Sequence, residues 1–288
     1  MSVGYGSATR LDSLVARALR EHRALLAGAV MATGMIVLAI VGPSITPYSP
    51  TNGISGAQLL PPSGTHWFGT DAVGLDVFSR VIAAPRTDLT IALVSTLLAL
   101  LLGTLIGAAV GYYSNIWSEL VMRVSDLLQS FPVFILAMAT AVVAGYNLTG
   151  IIFVIAFVNA PIYVRLVRAQ VLSLRKRTFV EAAEALGEPG SQVILRHLIP
   201  NALPPILAQA SITVGFAMLL TAGLSFVGAG VRVPTPEWGS MIATGASNIV
   251  TGQWWPSVFP GVALSVTVFG FALLGDALAK FVEPARHQ

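Results

Sequence analysis

Residues 127–164 form a stretch that contains no Asp, Glu, Lys or Arg. Drawn as one α-helix at about 1.5 Å per residue, it would measure about 60 Å, roughly twice the hydrocarbon thickness of a bilayer. The stretch must therefore fold back on itself, and the segment GYNLTG at residues 145–150 is the natural place for the turn. We predict two membrane spans from this stretch, one on each side of that turn.

Four further apolar segments, each 18 residues or longer, can also cross a bilayer: residues 24–41, 89–112, 203–220 and 257–274. The first exceeds the core of a signal peptide, about 7–15 residues, so we expect it to be a retained span. Only 10% of the residues are charged, against about 25% in an average soluble domain. The chain is therefore predicted to be an all-α integral membrane protein with six transmembrane helices. It has no cysteine, which excludes disulfides and cysteine metal sites.

Residues 1–23 are predicted to hold a cytoplasmic amphipathic helix that lies on the membrane surface and contacts lipid. Its charged side carries Arg17, Arg20 and Glu21. A plain solvent-exposed helix is the alternative. The apolar side carries Leu11, Leu14, Val15, Ala18 and Leu19.

The remainder divides into a transmembrane domain, residues 24–285, and a tail, residues 286–288. Within the domain we expect an external loop at residues 43–85, a cytoplasmic loop at 174–200 and an external segment at 224–256. The external loop contains six prolines and several glycines and serines, which do not suit a membrane-spanning helix.

The basic residues orient the six spans. With both termini in the cytoplasm, thirteen Lys and Arg residues lie inside, whereas only Arg80, Arg86 and Arg232 lie outside. The inverted arrangement would violate the positive-inside rule. The pI near 9.5 is thus explained by topology and requires no nucleic-acid partner.

Two features within the spans carry local predictions. Gly103 and Gly107 have the small-xxx-small spacing that lets two membrane helices approach closely. Arg123 and Asp126 lie three residues apart at the cytoplasmic start of the third span. We interpret them as a structural ion pair, and a functional intramembrane pair is the alternative.

A long polar interruption occupies residues 178–201. Thr178 and Glu181 have the spacing of a capping box. Gly187, followed by Pro189, predicts that the helix ends in a left-handed cap. One face of this helix would carry Phe179, Ala182, Ala183 and Leu186. A second short helix, beginning at Ser191, would carry Val193, Ile194 and Leu198 on one side.

Two such short helices are not stable alone, so they should dock on another surface. One interpretation is a loop helix that rests on the protein's own membrane end. The other is a docking knob for a soluble partner, with Glu181 and Glu184 making its polar face acidic. The local pattern leaves both open.

Several kinds of chemistry find no support in the sequence. There is no G-x-x-x-x-G-K-S/T phosphate loop, so the chain is not expected to bind ATP. The four histidines, His22, His66, His197 and His287, have no metal-ligand spacing. No set of nucleophile, base and acid stands out, and we predict a non-catalytic subunit.

Three strings in the chain resemble motifs of ATP-binding-cassette (ABC) importer permeases. Glu181-Ala182-Ala183, Gly187 and the closing Ile199-Pro200 match the spacing of the signature E-A-A, three residues, G, nine residues, I-x-L-P, although His197 stands where the signature has its first isoleucine. The string RHLIPN at residues 196–201 resembles the dipeptide/oligopeptide branch, as does the segment Leu224–Gly239. The external loop resembles that branch's L-G-T-D-x-x-G-x-D-x-x-S-R string through Gly69, Thr70, Asp71, Gly74, Asp76, Ser79 and Arg80.

The resemblance covers nearly the whole chain and implies a type I ABC importer permease fold, similar to the second permease of dipeptide/oligopeptide importers. It implies that the chain forms half of a translocation pathway in the bacterial inner membrane, beside a homologous permease. One or two ATPase subunits would bind ATP and Mg and dock on the cytoplasmic loop, while an external substrate-binding protein delivers the peptide. The docking residues would be Glu181, Ala182, Ala183, Glu184, Leu186 and Gly187. No cofactor is expected in this chain.

Three alternatives stay open. For Asp71, Asp76 and Arg80 we favour a loop held by side-chain turns and ion pairs over direct substrate contact. Within the family, the load could be nickel, another metal chelate or haem. Outside it, the chain could be an ion-coupled carrier, although that class usually shows inverted repeats and buried ionisable residues.

Overall fold

A computed structural model of the protein describes residues 6–145 and 147–282, with the side chains of residues 23–145 and 147–280. Within these residues the regular structure is helical, apart from one isolated bridge between Thr70 and Asp76. The elements, in chain order, are α1 (Gly6–Ile45), α2 (Val77–Tyr113), α3 (Ile116–Ser130), α4 (Val133–Ala144), α5 (Leu148–Leu174), α6 (Thr178–Ala185), α7 (Gly190–Gln192, followed by a π-helical turn, Val193–Leu198), α8 (Ile199–Phe226), α9 (Trp238–Ile249) and α10 (Trp255–Val282).

In the part of the chain that the structure describes, five helices are long and apolar enough to cross a membrane, and they lie within α1, α2, α5, the continuous α7–α8 unit and α10. A sixth span exists if α3 and α4 are taken together, but this pair is bent by 100°. The predicted third span therefore corresponds to this broken pair, and the prediction of six spans agrees with the structure when the pair is counted as one span. The break lies at Phe131 and Pro132, because a residue before proline is driven out of the helical conformation.

Other boundaries follow the sequence more closely. The predicted turn between the third and fourth spans is confirmed, since α4 ends at Ala144 and Asn147 caps α5 by accepting a hydrogen bond from the Gly150 amide at 2.8 Å. Helix α1 continues through Pro43, where we expected it to stop. The predicted amphipathic side chains of residues 11–21 and the tail at 286–288 lie outside the described side chains.

Helices α2 and α5 run side by side in the same direction, with α2 presenting glycine at every fourth position of the contact. Gly103 lies against Ala160 and Tyr163, and Gly107 lies against Val164 and Val167 of α5. A Cβ added at Gly107 would lie 2.6 Å from the Val164 carbonyl oxygen. The predicted close packing through Gly103 and Gly107 is confirmed, and α5 is the partner helix.

The buried apolar residues form two clusters at opposite ends of the bundle. One cluster surrounds Trp238. It lies at the end of the bundle formed by residues 46–76 and 227–254, and we name this end the loop end. The other joins α2, α5 and α8 to residues 178–198, which we name the knob, and this is the knob end. Each end is thus packed into the bundle by its own set of side chains.

The predicted Arg123–Asp126 ion pair is wrong. Asp126 instead pairs with Arg165 of α5, with an Nη2–Oδ1 distance of 2.6 Å. Both side chains are more than half exposed, so the pair contributes little to stability. It joins α3 to α5. Residue spacing along a single helix cannot predict a contact between two different helices.

Candidate functional site

The knob begins with the two-turn helix α6, whose start differs from the expected capping box. Arg177 is the N-cap residue, and no side chain caps the helix. The Arg177 carbonyl accepts from the amides of Val180 and Glu181, at 3.0 and 3.3 Å. The Thr178–Glu181 capping box is therefore wrong, and the Glu181 carboxylate makes no hydrogen bond or ion pair within the described residues.

The face of α6 that packs on the bundle also differs from the predicted one. Val180 is fully buried and Ala183 is 5% exposed, whereas Leu186 is 84% exposed. Phe179 and Ala182 are exposed as well. Because two turns pack mainly through positions three apart, α6 buries Val180 and Ala183 against the ends of the long helices. It leaves an acidic and apolar surface uncovered.

The turn after α6 has the conformation that the sequence predicts. Gly187 has φ +81°, a left-handed backbone, so the predicted cap is confirmed. The Glu188 amide donates to the Ala183 carbonyl at 3.1 Å and the Gly187 amide to the Glu184 carbonyl at 3.0 Å. This pair of bonds is the Schellman arrangement, which satisfies the last carbonyls of the helix.

The second half of the knob is not a separate helix. It is a single turn of α7 and a π-helical turn that lead directly into α8. Val193, Ile194 and Leu198 are buried, which confirms the predicted apolar side. The His197 Nε2 lies 3.0 Å from the Glu188 Oε2, so the two halves of the knob are also joined by a polar contact.

Tyr112, at the end of α2, was not identified from the sequence. Its hydroxyl donates to the Glu184 Oε1 at 2.9 Å, and the Arg175 guanidinium lies 5.2 Å from the centre of its ring. Tyr112 and Glu184 are 72 positions apart. No local sequence pattern around either residue predicts their contact.

At the loop end, the motif residues before α2 build the turns of the loop. Gly69 and Gly74 have φ of +72° and +79°, which favour glycine. The Thr70 hydroxyl donates to the Ala57 carbonyl and accepts from the Leu60 amide at 2.8 Å. Asp71 closes a side-chain turn, with its Oδ1 accepting from the amides of Val73 and Leu75 at 3.0 and 2.9 Å.

The remaining motif residues join this loop to α2 and to the segment before α9. The Asp76 Oδ2 accepts from the Ser79 amide and hydroxyl at 2.8 and 2.7 Å, and so caps α2. The Asp76 Oδ1 lies 2.8 Å from the His66 Nδ1. The Arg80 Nη1 donates to the carbonyls of Pro50 and Pro234, at 3.0 and 3.1 Å. This geometry matches the loop-holding interpretation, although Arg80 binds carbonyls instead of closing an ion pair.

Two carboxylates that we did not identify from the sequence, Asp88 and Glu237, hold the start of α9. The Glu237 carboxylate accepts from the amides of Gly239 and Ser240, at 2.7 and 2.6 Å. The Asp88 Oδ2 accepts from the Trp238 amide at 3.2 Å. Burial raises the pKa of Glu237, and the hydrogen bonds from Ser240 and Gly239 oppose this without cancelling it.

We expect Glu237 to make the stability of the loop end depend on pH. Because its pKa is raised in the folded state, the stabilisation present at low pH is lost as the pH rises through that raised value. Glu237→Gln stays neutral, so its melting temperature relative to wild type should increase with pH. Thermal unfolding of the purified protein between about pH 5 and about pH 9 measures this difference.

The matched control is Glu119→Gln, which makes the same charge change at the start of α3. A pH-dependent difference in this control as large as that of Glu237→Gln would assign the effect to the loss of a charge and not to the burial of Glu237. A Glu237→Gln difference that does not change with pH would contradict the assignment.

The two sets of predicted site residues lie at opposite ends of α2. That helix has 37 residues and therefore measures about 55 Å, so the knob and the loop do not form one site. Among the described residues, no group of three or more His, Cys, Asp or Glu side chains could hold a metal ion.

Comparison with known proteins gives consistent matches. Residues 99–288 match the family described as binding-protein-dependent transport system inner membrane component. Residues 13–62 match the N-terminal transmembrane domain of oligopeptide transport permease C.

Curated relatives cover most of the chain. A probable D,D-dipeptide transport system permease protein of Escherichia coli K12 is 39% identical, over 89% of this chain and 86% of its own length. A dipeptide transport system permease protein of Alkalihalophilus pseudofirmus is 36% identical, over 92% of this chain and 87% of its own. A glutathione transport system permease protein of Escherichia coli O6:K15:H31 shows the same identity and coverage.

Among solved structures, an inward-facing MetNI methionine ABC transporter matches with a TM-score of 0.58 and 21% identity. The match covers 70% of this chain and 96% of the transporter chain. At this identity it supports the fold and nothing further.

Proposed function

Because the chain belongs to the family of binding-protein-dependent transport system inner membrane components, we propose that it is a permease subunit that forms half of the pathway of an ATP-driven peptide importer. The observation that carries this proposal is the knob. It is packed on the bundle by Val180 and Ala183 and presents exposed Glu181, Ala182 and Leu186 to a partner. The peptide substrate is supported by relatives named for D,D-dipeptide, dipeptide and glutathione transport.

We propose that the knob end faces the cytoplasm and the loop end faces outward. Seven of the thirteen basic residues assigned to the cytoplasm lie between Arg123 and Arg196, in the segments next to the knob. The positive-inside rule favours this orientation. Both termini are then cytoplasmic, in a multi-pass inner-membrane protein.

The partners follow from this orientation. One or two ATPase subunits would bind the exposed knob and hold ATP and Mg, so that hydrolysis takes place outside this chain. A homologous permease would complete the pathway, and a substrate-binding protein would dock at the loop end. The motif residues from Gly69 to Arg80 would act by shaping the loop, because their polar groups bond within it.

The chain's own role is mechanical. When the ATPases close on ATP, they would displace the knob. The apolar cluster that joins Val180 and Leu198 to α2, α5 and α8 would carry that displacement into the bundle. The pathway would then change from inward-facing to outward-facing. No resident cofactor is needed for this step.

The test is isolation of the complex through a tag on this chain, followed by reconstitution into liposomes. We expect ATPase subunits and a second permease to co-purify. A labelled dipeptide presented with the binding protein should enter only when ATP is supplied on the knob side. Uptake that nickel or haem competes away, and that unlabelled dipeptide does not, would reassign the substrate. Uptake by this chain alone, driven by an ion gradient, would refute the importer assignment.

A further inference from the structure

The knob carries three carboxylates, and the structure gives them different surroundings. Glu184 accepts a hydrogen bond from Tyr112 of α2, and Glu188 lies against His197. Glu181 has no hydrogen bond or ion pair within the described residues. Of these three carboxylates, only Glu181 can bind a partner without first breaking a contact inside the protein. Glu184 instead contacts α2 through Tyr112.

Tyr112 contacts three successive parts of the chain around the knob. Arg175, which precedes α6, lies over its ring at 5.2 Å. Glu184, within α6, accepts from its hydroxyl at 2.9 Å. Gly190, which follows α6, lies against its ring edge, where an added Cβ would be 2.7 Å from Cε1. The last turn of α2 thus touches the chain before, within and after α6.

The apolar contacts of α6 hold its rotation only weakly. Val180 and Ala183 are small, and apolar packing has no preferred direction. A two-turn helix seated on two such side chains can roll about its own axis. A hydrogen bond to a carboxylate is directional and stronger than one between neutral groups. The hydroxyl of Tyr112 supplies such a contact to α6 itself, whereas the contact between Glu188 and His197 lies beyond the end of that helix.

We propose that Tyr112 is a positioning residue, which sets the rotation of α6 through Glu184 and so makes α2 move together with the knob. This inference rests on the proposed function for its role in transport. The rotational setting itself is a property of the chain and can be measured without any substrate.

The first experiment measures rotation. The chain has no cysteine, so Ala182→Cys and Ala183→Cys report an exposed and a buried position of α6. In membranes containing the full chain, maleimide should label position 182 faster than position 183. Adding Tyr112→Phe should reduce the ratio of the two rates about threefold, the effect expected from losing one partly exposed hydrogen bond.

The matched control is Tyr113→Phe, which removes a hydroxyl from the neighbouring ring, 5.1 Å away, that has no hydrogen bond within the described residues. Its labelling ratio should equal that of wild type. Glu184→Gln retains an oxygen that can accept from Tyr112 but loses the charge, so its ratio should lie between those of wild type and Tyr112→Phe, whereas Glu184→Ala should match Tyr112→Phe. Gly190→Ala pushes on the ring from the other side and should lower the ratio as well.

The second experiment measures how the rotation of α6 affects transport. The quantity measured is the number of ATP molecules hydrolysed per labelled dipeptide transported by the reconstituted complex. Tyr112→Phe should raise this number about threefold, while Tyr113→Phe should leave it unchanged. Equal labelling ratios in Tyr112→Phe and Tyr113→Phe would overturn the positioning role, whatever the substrate. A wild-type complex that transports no dipeptide, while Tyr112→Phe still alters labelling, would refute the proposed substrate and leave the positioning role supported.

Discussion

Replacing Gly103 by valine should prevent the bundle from folding. A Cβ at this position would collide with the Tyr163 Cβ and would lie 2.9 Å from the Ala160 carbonyl oxygen. Both obstacles belong to a helix backbone or to the first side-chain carbon, so neither can move unless α2 and α5 separate. Overpacking of this kind costs about 1–3 kcal/mol where neighbours can adjust, and more where they cannot. We expect the yield of monodisperse protein to fall at least about tenfold.

Gly34→Val is the matched control, because Gly34 also lies in a membrane helix and an added Cβ there would meet nothing within 4 Å. Size-exclusion chromatography of the solubilised protein, compared at equal expression, measures the difference. Similar monodisperse yields for the two variants would show that α2 and α5 do not pack as described.

Substitution of Gly187 should damage transport while leaving assembly intact. An added side chain would find open space, since nothing lies within 4 Å of the Cβ position. The difficulty is the backbone, because φ +81° is unfavourable for residues with a Cβ and worst for β-branched ones. Gly187→Val should therefore break the turn after α6 and release the end of the helix. We expect dipeptide uptake per ATP hydrolysed to fall about tenfold, equivalent to roughly 1.4 kcal/mol.

Gly187→Asn separates backbone strain from side-chain size, because asparagine tolerates the left-handed conformation. It should retain uptake within about threefold of wild type. Co-purification of the ATPases should be similar for both variants, since Val180 and Ala183 still seat the helix. If Asn and Val were equally damaging, the turn conformation would not be the cause. If Val were harmless, the turn would have no part in transport.

Most of the fold was accessible from hydrophobic length alone. The spans beginning near Ala24, Leu89, Leu203 and Ser257 all lie within membrane-length helices of the structure. The turn at residues 145–150 was accessible because no single helix could accommodate its flanks. The bend at Pro132 was missed because hydropathy is uniform across the apolar stretch and gives no sign of a break. The break comes from the backbone, since the residue before a proline disfavours the helical conformation.

The candidate sites divide along a similar line. Gly187 was predictable because a left-handed cap strongly favours glycine, which has no Cβ. The buried face of α6 was not predictable. The predicted face contains Phe179, Ala182 and Leu186, which have helical spacing but are exposed in the structure. Periodicity identifies a possible apolar face, whereas the surface that α6 meets determines which face is covered.

The sequence by itself determined the number of apolar segments, the charge asymmetry behind the proposed orientation and the left-handed turn at Gly187. These are local properties, set by side-chain transfer energies and by the conformations that single residues allow. Only the tertiary structure decided that Asp126 pairs with Arg165, that Asp88 accepts from the Trp238 amide at the start of α9 and that Tyr112 binds Glu184. Each of these contacts joins residues from helices distant in the chain, and their distances depend on how the helices pack.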